Sequence, residues 1–154
     1  MNMTTRVEQA VSLFKQGSNC SQAVFATYAE QLGFDRGKAL KIACGFGGGM
    51  RMGETCGAVT GAFMVIGLKC ASSDPQDKDA KQKTYELVQK FILEFRTRNG
   101  SVVCKELLGC DVSTPEGAKI ATEKGLFRSF CPKMVQDAAE ILEQMLERQK
   151  PQQK

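Results

Sequence analysis

The stretch that constrains this chain most is residues 56–70, CGAVTGAFMVIGLKC. It is apolar nearly all round until Lys69, and it falls short of the roughly 20 residues that a membrane span needs. A helix without a polar face must be covered by other elements, at the centre of a domain. The rest of the chain supplies that cover as successive amphipathic helices. Thr5 and Glu8 read as a capping box, opening a helix whose Val7, Ala10, Val11 and Phe14 share one face and which Gly17 closes. A second helix follows Ser18-Asn19, carries Ala23, Val24 and Tyr28, and stops near Gly33. Asp35 begins a third, shorter helix through Ala39, Leu40 and Ala43.

Beyond the apolar segment, Ser73-Asp74-Pro75 is a helix-start signal, with proline tolerated in the first turn. The long helix after it places Tyr85, Val88, Phe91, Ile92 and Phe95 on one face and ends at Asn99-Gly100. A short helix is expected over roughly 102–108. Ser113 and Glu116 form another capping box, opening a helix toward Lys124. The last helix starts at Cys131-Pro132 and carries Val135, Ala138, Leu142 and Met145 to about Arg148. No alternating strand pattern and no internal repeat is present. The chain reads as all-α, a single-domain bundle of about seven or eight helices over residues 1–148, with 149–154 a frayed tail.

The 154 residues are enough for one real core, and their charges exclude one class of function. The 21 Lys and Arg outnumber the 17 Asp and Glu by four but are spread along the chain. Nucleic-acid binding leaves a concentrated basic stripe, so no nucleic-acid partner is expected. The N-terminus lacks the features of a signal peptide, and no apolar run reaches membrane length. A cytoplasmic protein with no membrane association is expected, in a compartment where structural disulfides are uncommon. The chain nevertheless carries seven cysteines, an odd number, and no histidine. Any triad or zinc site that uses histidine is excluded.

Four of those cysteines fall at expected helix starts. Cys20 follows the cap Asn19, Cys56 follows the cap Thr55, Cys104 lies in the first turn after Ser101, and Cys131 precedes Pro132. A helix start offers unpaired N–H groups and the positive end of the helix dipole. Both stabilise a thiolate, as a nucleophile or a metal ligand. Cys44, Cys70 and Cys110 fit small buried hydrophobes instead, although Cys110 is close enough to Cys104 to pair with it or replace it. There is no Cys-x-x-Cys, so a shared site has to be assembled by tertiary folding. Arg51 and Glu54 flank the glycine-rich loop and read as a solvated pair or an anion contact. Lys105 and Arg128 are candidates for lowering the pKa of neighbouring thiols.

Glycine crowds the approach to Cys56, in GFGGGMRMGETCGAVTG over residues 45–61. Gly57 and Gly61 lie on one face of the apolar helix, where each costs roughly 1 kcal/mol against alanine. Close approach of another backbone is the economical explanation. The loop lacks both the Gly-x-Gly-x-x-Gly pattern and the Walker ending, so phosphate binding has no specific support. Gly47, Gly48, Gly49 and Gly57 are instead the candidates for a collar around a cofactor.

At these residues the chain resembles a redox-active family named for its pattern of Cys, Gly-Cys-Ala-x-x-Gly, Cys and Cys. The matching elements are GSNCSQAV at Cys20, GETCGAVTGAFMVIGL at Cys56, CKELLG at Cys104 and CPKMVQDAAEIL at Cys131. The central element reads Cys-Gly-Ala-Val-Thr-Gly, with Cys and Gly exchanged. The resemblance implies a redox or electron-transfer role. The pattern is also similar to a domain of split-Soret cytochromes, which implies an iron–sulfur cluster. Cys20, Cys56, Cys104 and Cys131 are then the catalytic or metal-binding residues, holding a cluster or forming reversible disulfides with Cys56 attacking. A redox partner protein and a homodimer are the expected associations. The alternatives are a non-enzymatic helical module with a four-cysteine zinc site, or an interaction domain whose cysteines are core.

Overall fold

A computed structural model describes residues 5–148, and its helices run α1 (Arg6–Lys15), α2 (Cys20–Gln31), α3 (Arg36–Ala43), α4 (Gly57–Cys70), α5 (Lys78–Asn99), α6 (Cys104–Leu108), α7 (Pro115–Glu123), α8 (Leu126–Ser129) and α9 (Cys131–Arg148). The fold is all-α; the expected tail at 149–154 lies outside the described residues. Helix starts are where the sequence signals them, because polar side chains satisfy the free N–H groups there. Thr5 accepts from Glu8 N–H, and Asn19 and Gln22 form a reciprocal capping box. Asp35 accepts from Lys38 N–H. Gly100, in the left-handed region at φ 83°, ends α5.

The apolar α4 is central, packed against α2, α5 and α9. Its Val59, Val65 and Ile66 are fully buried, together with Phe91 and Phe95 from α5 and Val135, Ile141 and Leu142 from α9. Gly57 and Gly61 face α2. A Cβ on Gly61 would lie 2.7 Å from Ser21 O, and one on Gly57 would lie 3.1 Å from Cys20 Cβ. The two helices therefore touch backbone to backbone at Ser21, as the small residues implied. A second, smaller apolar cluster of Cys104, Val112 and Ala121 sits under α6–α8.

Several boundaries differ from the sequence reading, each for a local reason. Ser73-Asp74-Pro75 makes a turn, in which Asp74 accepts from Gln76 N–H, and Asp77 is the residue that caps α5. Tyr85 is 57% exposed, because the buried row of α5 is Leu87, Phe91 and Phe95, and Tyr85 stands about a third of a turn from Phe91. Ser113 is held by Asp111, so Thr114 caps α7 and Pro115 takes its first position. Helix α6 begins at Cys104 rather than near Val102. Thr55 pairs with Val103 in an isolated antiparallel bridge, and Cys56 itself is the N-cap of α4. The four-residue α8 had no sequence signal.

Two glycines of α4 make opposite predictions. Gly61→Ala gains about 1 kcal/mol of helix propensity, but the methyl meets backbone and overpacks the α2 seam; a net loss of about 1–2 kcal/mol is expected in denaturant unfolding. Nothing lies within 4 Å of a Cβ on Gly67. Gly67→Ala should therefore raise stability by about 0.5–1 kcal/mol in the same assay.

Candidate functional site

Four helix starts converge on one cavity of about 510 Å³, lined by Cys20, Cys56, Cys104 and Cys131. Cys20 is the first residue of α2, directly after its Asn19 cap, and Cys131 is the first residue of α9. Cys56 and Cys104 are brought side by side by the bridge between Thr55 and Val103. In it, Cys56 N–H donates to Val102 O at 2.7 Å and Cys104 N–H donates to Glu54 O at 2.5 Å. The cavity lies at the seam between the main core and the smaller cluster. Phe14, Leu107, Phe130 and Met134 of the main core line it, as do Leu108 and Val112 of the smaller cluster.

Cys20 lies beside both Cys56 and Cys131 in this cavity. It stands in hydrogen-bond contact with both. A thiol has one proton to donate, so Cys20 serves one neighbour at a time. The Cys56 pKa is lowered, first by the Cys20 hydrogen bond, and also by the Ala58 and Val59 N–H groups at the start of α4; burial opposes them. Cys131 is lowered by Cys20 as well, against burial and the charge of Cys56. Cys20 is raised by its hydrogen bonds to Cys131 and Cys56, and then by burial. Cys56 is where negative charge is best held, because backbone N–H groups support it there besides the neighbouring thiol. Cys104 lines the same cavity without joining the contact. Burial, with the nearby sulfurs and Asp111, pushes it up to about 12.

The glycine loop reaches the site by a conformation that sequence reasoning missed. Gly48, Gly49, Met50 and Arg51 are consecutive left-handed residues, with φ between 60° and 65°. For Met50 and Arg51 this costs roughly 1–2 kcal/mol each. Glycines at 48 and 49 signal such a turn, but nothing in Met-Arg does. A Cβ on Gly49 would lie 2.5 Å from Glu54 N and 2.9 Å from Cys104 Cβ, so the turn packs directly behind Cys104. Gly47, Gly48 and Gly57 line the cavity, whereas Gly49 is buried behind it. Gly47 also packs against Asn19, where its Cβ would clash at 2.7 Å.

The other cysteines are placed as follows. Cys44, expected in the core, is exposed, because it ends α3 at the surface; it also lines the cavity. Cys70 and Cys110 are partly buried. Cys110 packs beside Cys104 but does not line the cavity, so Cys104 is the cysteine that faces the other three. Glu54 pairs with Lys105 at 3.0 Å, not with Arg51. That pairing occupies the cation expected to lower a thiol pKa.

The donor set is all soft sulfur, which suits an iron–sulfur cluster or zinc by chemistry. The arrangement is different. Among the described residues, no group of three or more His, Cys, Asp or Glu is placed to hold a metal ion. No helix among the described residues is long and apolar enough to cross a membrane.

No curated protein and no solved structure matches the chain. The sequence model of a family described as "Putative redox-active protein (C_GCAxxG_C_C)" matches residues 18–145. That span runs from the approach to α2 to the last turns of α9, and it contains all five cysteines that line the cavity, Cys44 and the four at helix starts. The chain belongs to this C_GCAxxG_C_C redox-active protein family.

Proposed function

We propose that the protein is a thiol redox protein, in which Cys20 is the shared member of two alternative disulfides. The observation that carries this reading is the convergence of Cys20, Cys56 and Cys131 on one cavity, with Cys20 beside the other two; the lowered pKa values of Cys56 and Cys131 support it. A thiol–disulfide centre needs a stabilised thiolate to attack and a second thiol in reach to resolve the mixed disulfide. Cys56 supplies the first and Cys20 the second.

The reduced centre holds Cys56 as thiolate and Cys20 and Cys131 as thiols. Cys56 Sγ attacks one sulfur of a disulfide R–S–S–R′, and R′–S⁻ leaves, taking the proton of Cys131. The Cys131 thiolate, no longer beside a charged Cys56, takes the proton of Cys20. Cys20 Sγ then attacks Cys56 Sγ and displaces R–S⁻, which takes a proton from solvent. Two electrons pass to the substrate, and a Cys20–Cys56 disulfide and two small thiols result. The helix-start N–H groups of α4 hold the charge on Cys56 until it attacks.

This arrangement predicts which disulfides survive mutation. After oxidation by a stoichiometric disulfide, peptide mapping should find Cys20–Cys131 in Cys56→Ser and Cys20–Cys56 in Cys131→Ser. In Cys20→Ala, Cys56 and Cys131 should not pair; a Cys56–Cys131 bond there would sink the shared-thiol scheme. Iron with matching sulfide, in protein purified without oxygen, would instead favour cluster-based electron transfer by the same four cysteines.

The thiolate itself is open to titration. Cys56 should be alkylated by iodoacetamide at a pH below the ordinary thiol value of about 8.5, with reactivity rising as pH passes through its lowered pKa. Cys20→Ala removes the hydrogen bond that lowers it, so the profile should move to higher pH. Cys104, held near 12, should stay unlabelled at pH 8.

A further inference from the structure

We infer that the disulfide this centre reduces is a low-molecular-weight one bearing a carboxylate, oriented in the cavity by Arg51. The inference rests on the thiol–disulfide reading and adds its substrate class. Access is the first argument. Cys56 is 5% exposed, and Cys104 and Cys131 are each 7% exposed. A disulfide anchored on a folded protein cannot line up with a sulfur so deeply set, whereas a small molecule can enter. The cavity, at about 510 Å³, is within the roughly 300–1,000 Å³ of small-molecule sites.

Charge is the second argument. Besides the Cys56 thiolate, Arg51 is the one charged side chain among the described residues that line the cavity. It makes no hydrogen bond or ion pair among them, since Glu54, the nearby acid, is taken by Lys105. Its guanidinium folds over Gly48: a Cβ there would stand 3.0 Å from Arg51 Nη1. A planar fork of donors, unpaired among the described residues and lining a cavity with no other charged side chain but the Cys56 thiolate, matches a carboxylate.

The backbone is the third. Arg51 has φ 60°, a conformation that glycine adopts without strain and arginine does not. Strain of this kind persists at functional sites, where the side chain it positions is needed. The loop already contains glycines, yet arginine occupies this position. A carboxylate on Arg51 holds the molecule in the same cavity as Cys56, whose lining includes the apolar Phe127 and Leu108. The disulfide, the Cys56 thiolate, the Cys20 thiol and one solvent proton give two small thiols, carrying the carboxylate, and the Cys20–Cys56 bond.

The test uses the reduced full chain and three small disulfides of similar size: dithiodipropionate (two carboxylates), bis(hydroxyethyl) disulfide (neutral) and cystamine (two amines). The rate of Cys20–Cys56 formation is followed by acid quench and peptide mass mapping. Dithiodipropionate should react about tenfold faster than the neutral compound, as expected for one charge-assisted hydrogen bond, and cystamine should be slowest. Arg51→Gln should bring the dicarboxylate and neutral rates together, and Arg51→Lys should keep part of the difference. Lys90→Gln, on exposed α5, controls for the overall positive charge and should keep all of it. Equal rates in the unmodified protein, or a preference that survives Arg51→Gln, would overturn the role of Arg51. Failure of every disulfide to oxidise the centre would overturn the underlying thiol reading instead.

Discussion

The contact between α2 and α4 at Ser21 is the constraint on which the site depends. With a side chain at Gly61 or Gly57, the helices could not approach until an added Cβ would lie 2.7 Å or 3.1 Å from α2 atoms. That approach sets the first residue of α2 against the cap of α4, and so Cys20 against Cys56. The same seam carries polar groups with no cost left over, since Thr60 Oγ1 lies 3.3 Å from Ser21 Oγ and 3.1 Å from Gly57 O. Packing and chemistry are therefore one feature here. The glycines that weaken α4 as a helix are what bring the thiols within reach of each other.

A second constraint acts from the opposite side of the cavity. The bridge of Thr55 with Val103 fixes the entrances of α4 and α6 by backbone hydrogen bonds. The left-handed turn at residues 48–51 fills the space behind it. Buried sulfur charge is costly, and among the described residues no cation lowers the pKa of the three thiols. Backbone N–H groups and a neighbouring thiol proton do this at Cys56. Cys104 lacks both and is pushed upward. Four thiols at four helix starts thus end with different proton affinities, because a helix start helps only when its N–H groups face the sulfur.

Much of this was legible along the chain. The helical class followed from caps and periodicity, which are local: Asn19, Asp35 and Gly100 act within a few residues of themselves. The centrality of α4 followed from its lack of a polar face. The placement of Cys20, Cys56, Cys104 and Cys131 at helix starts was legible for the same reason. Local signals failed where two candidates competed, as at Ser113 and Thr114, or Asp74 and Asp77. There the tertiary surroundings chose which hydroxyl or carboxylate was free to cap. Cys44 was misjudged because a cysteine's hydrophobicity says nothing about whether its helix ends at the surface.

The helices, the buried α4, its small-residue face and the family are readable from the residues alone. Each is written in residue types a few positions apart, at the range of a hydrogen bond or a helical turn. Packing alone settles that Cys20 lies beside both Cys56 and Cys131, that Cys104 stands apart, and that Arg51 lines the cavity with no ion pair among the described residues. Those outcomes depend on how closely α2, α4 and α9 pack and on a strained turn held by its neighbours. Residues tens of positions apart carry no local signal of the distance at which they will meet.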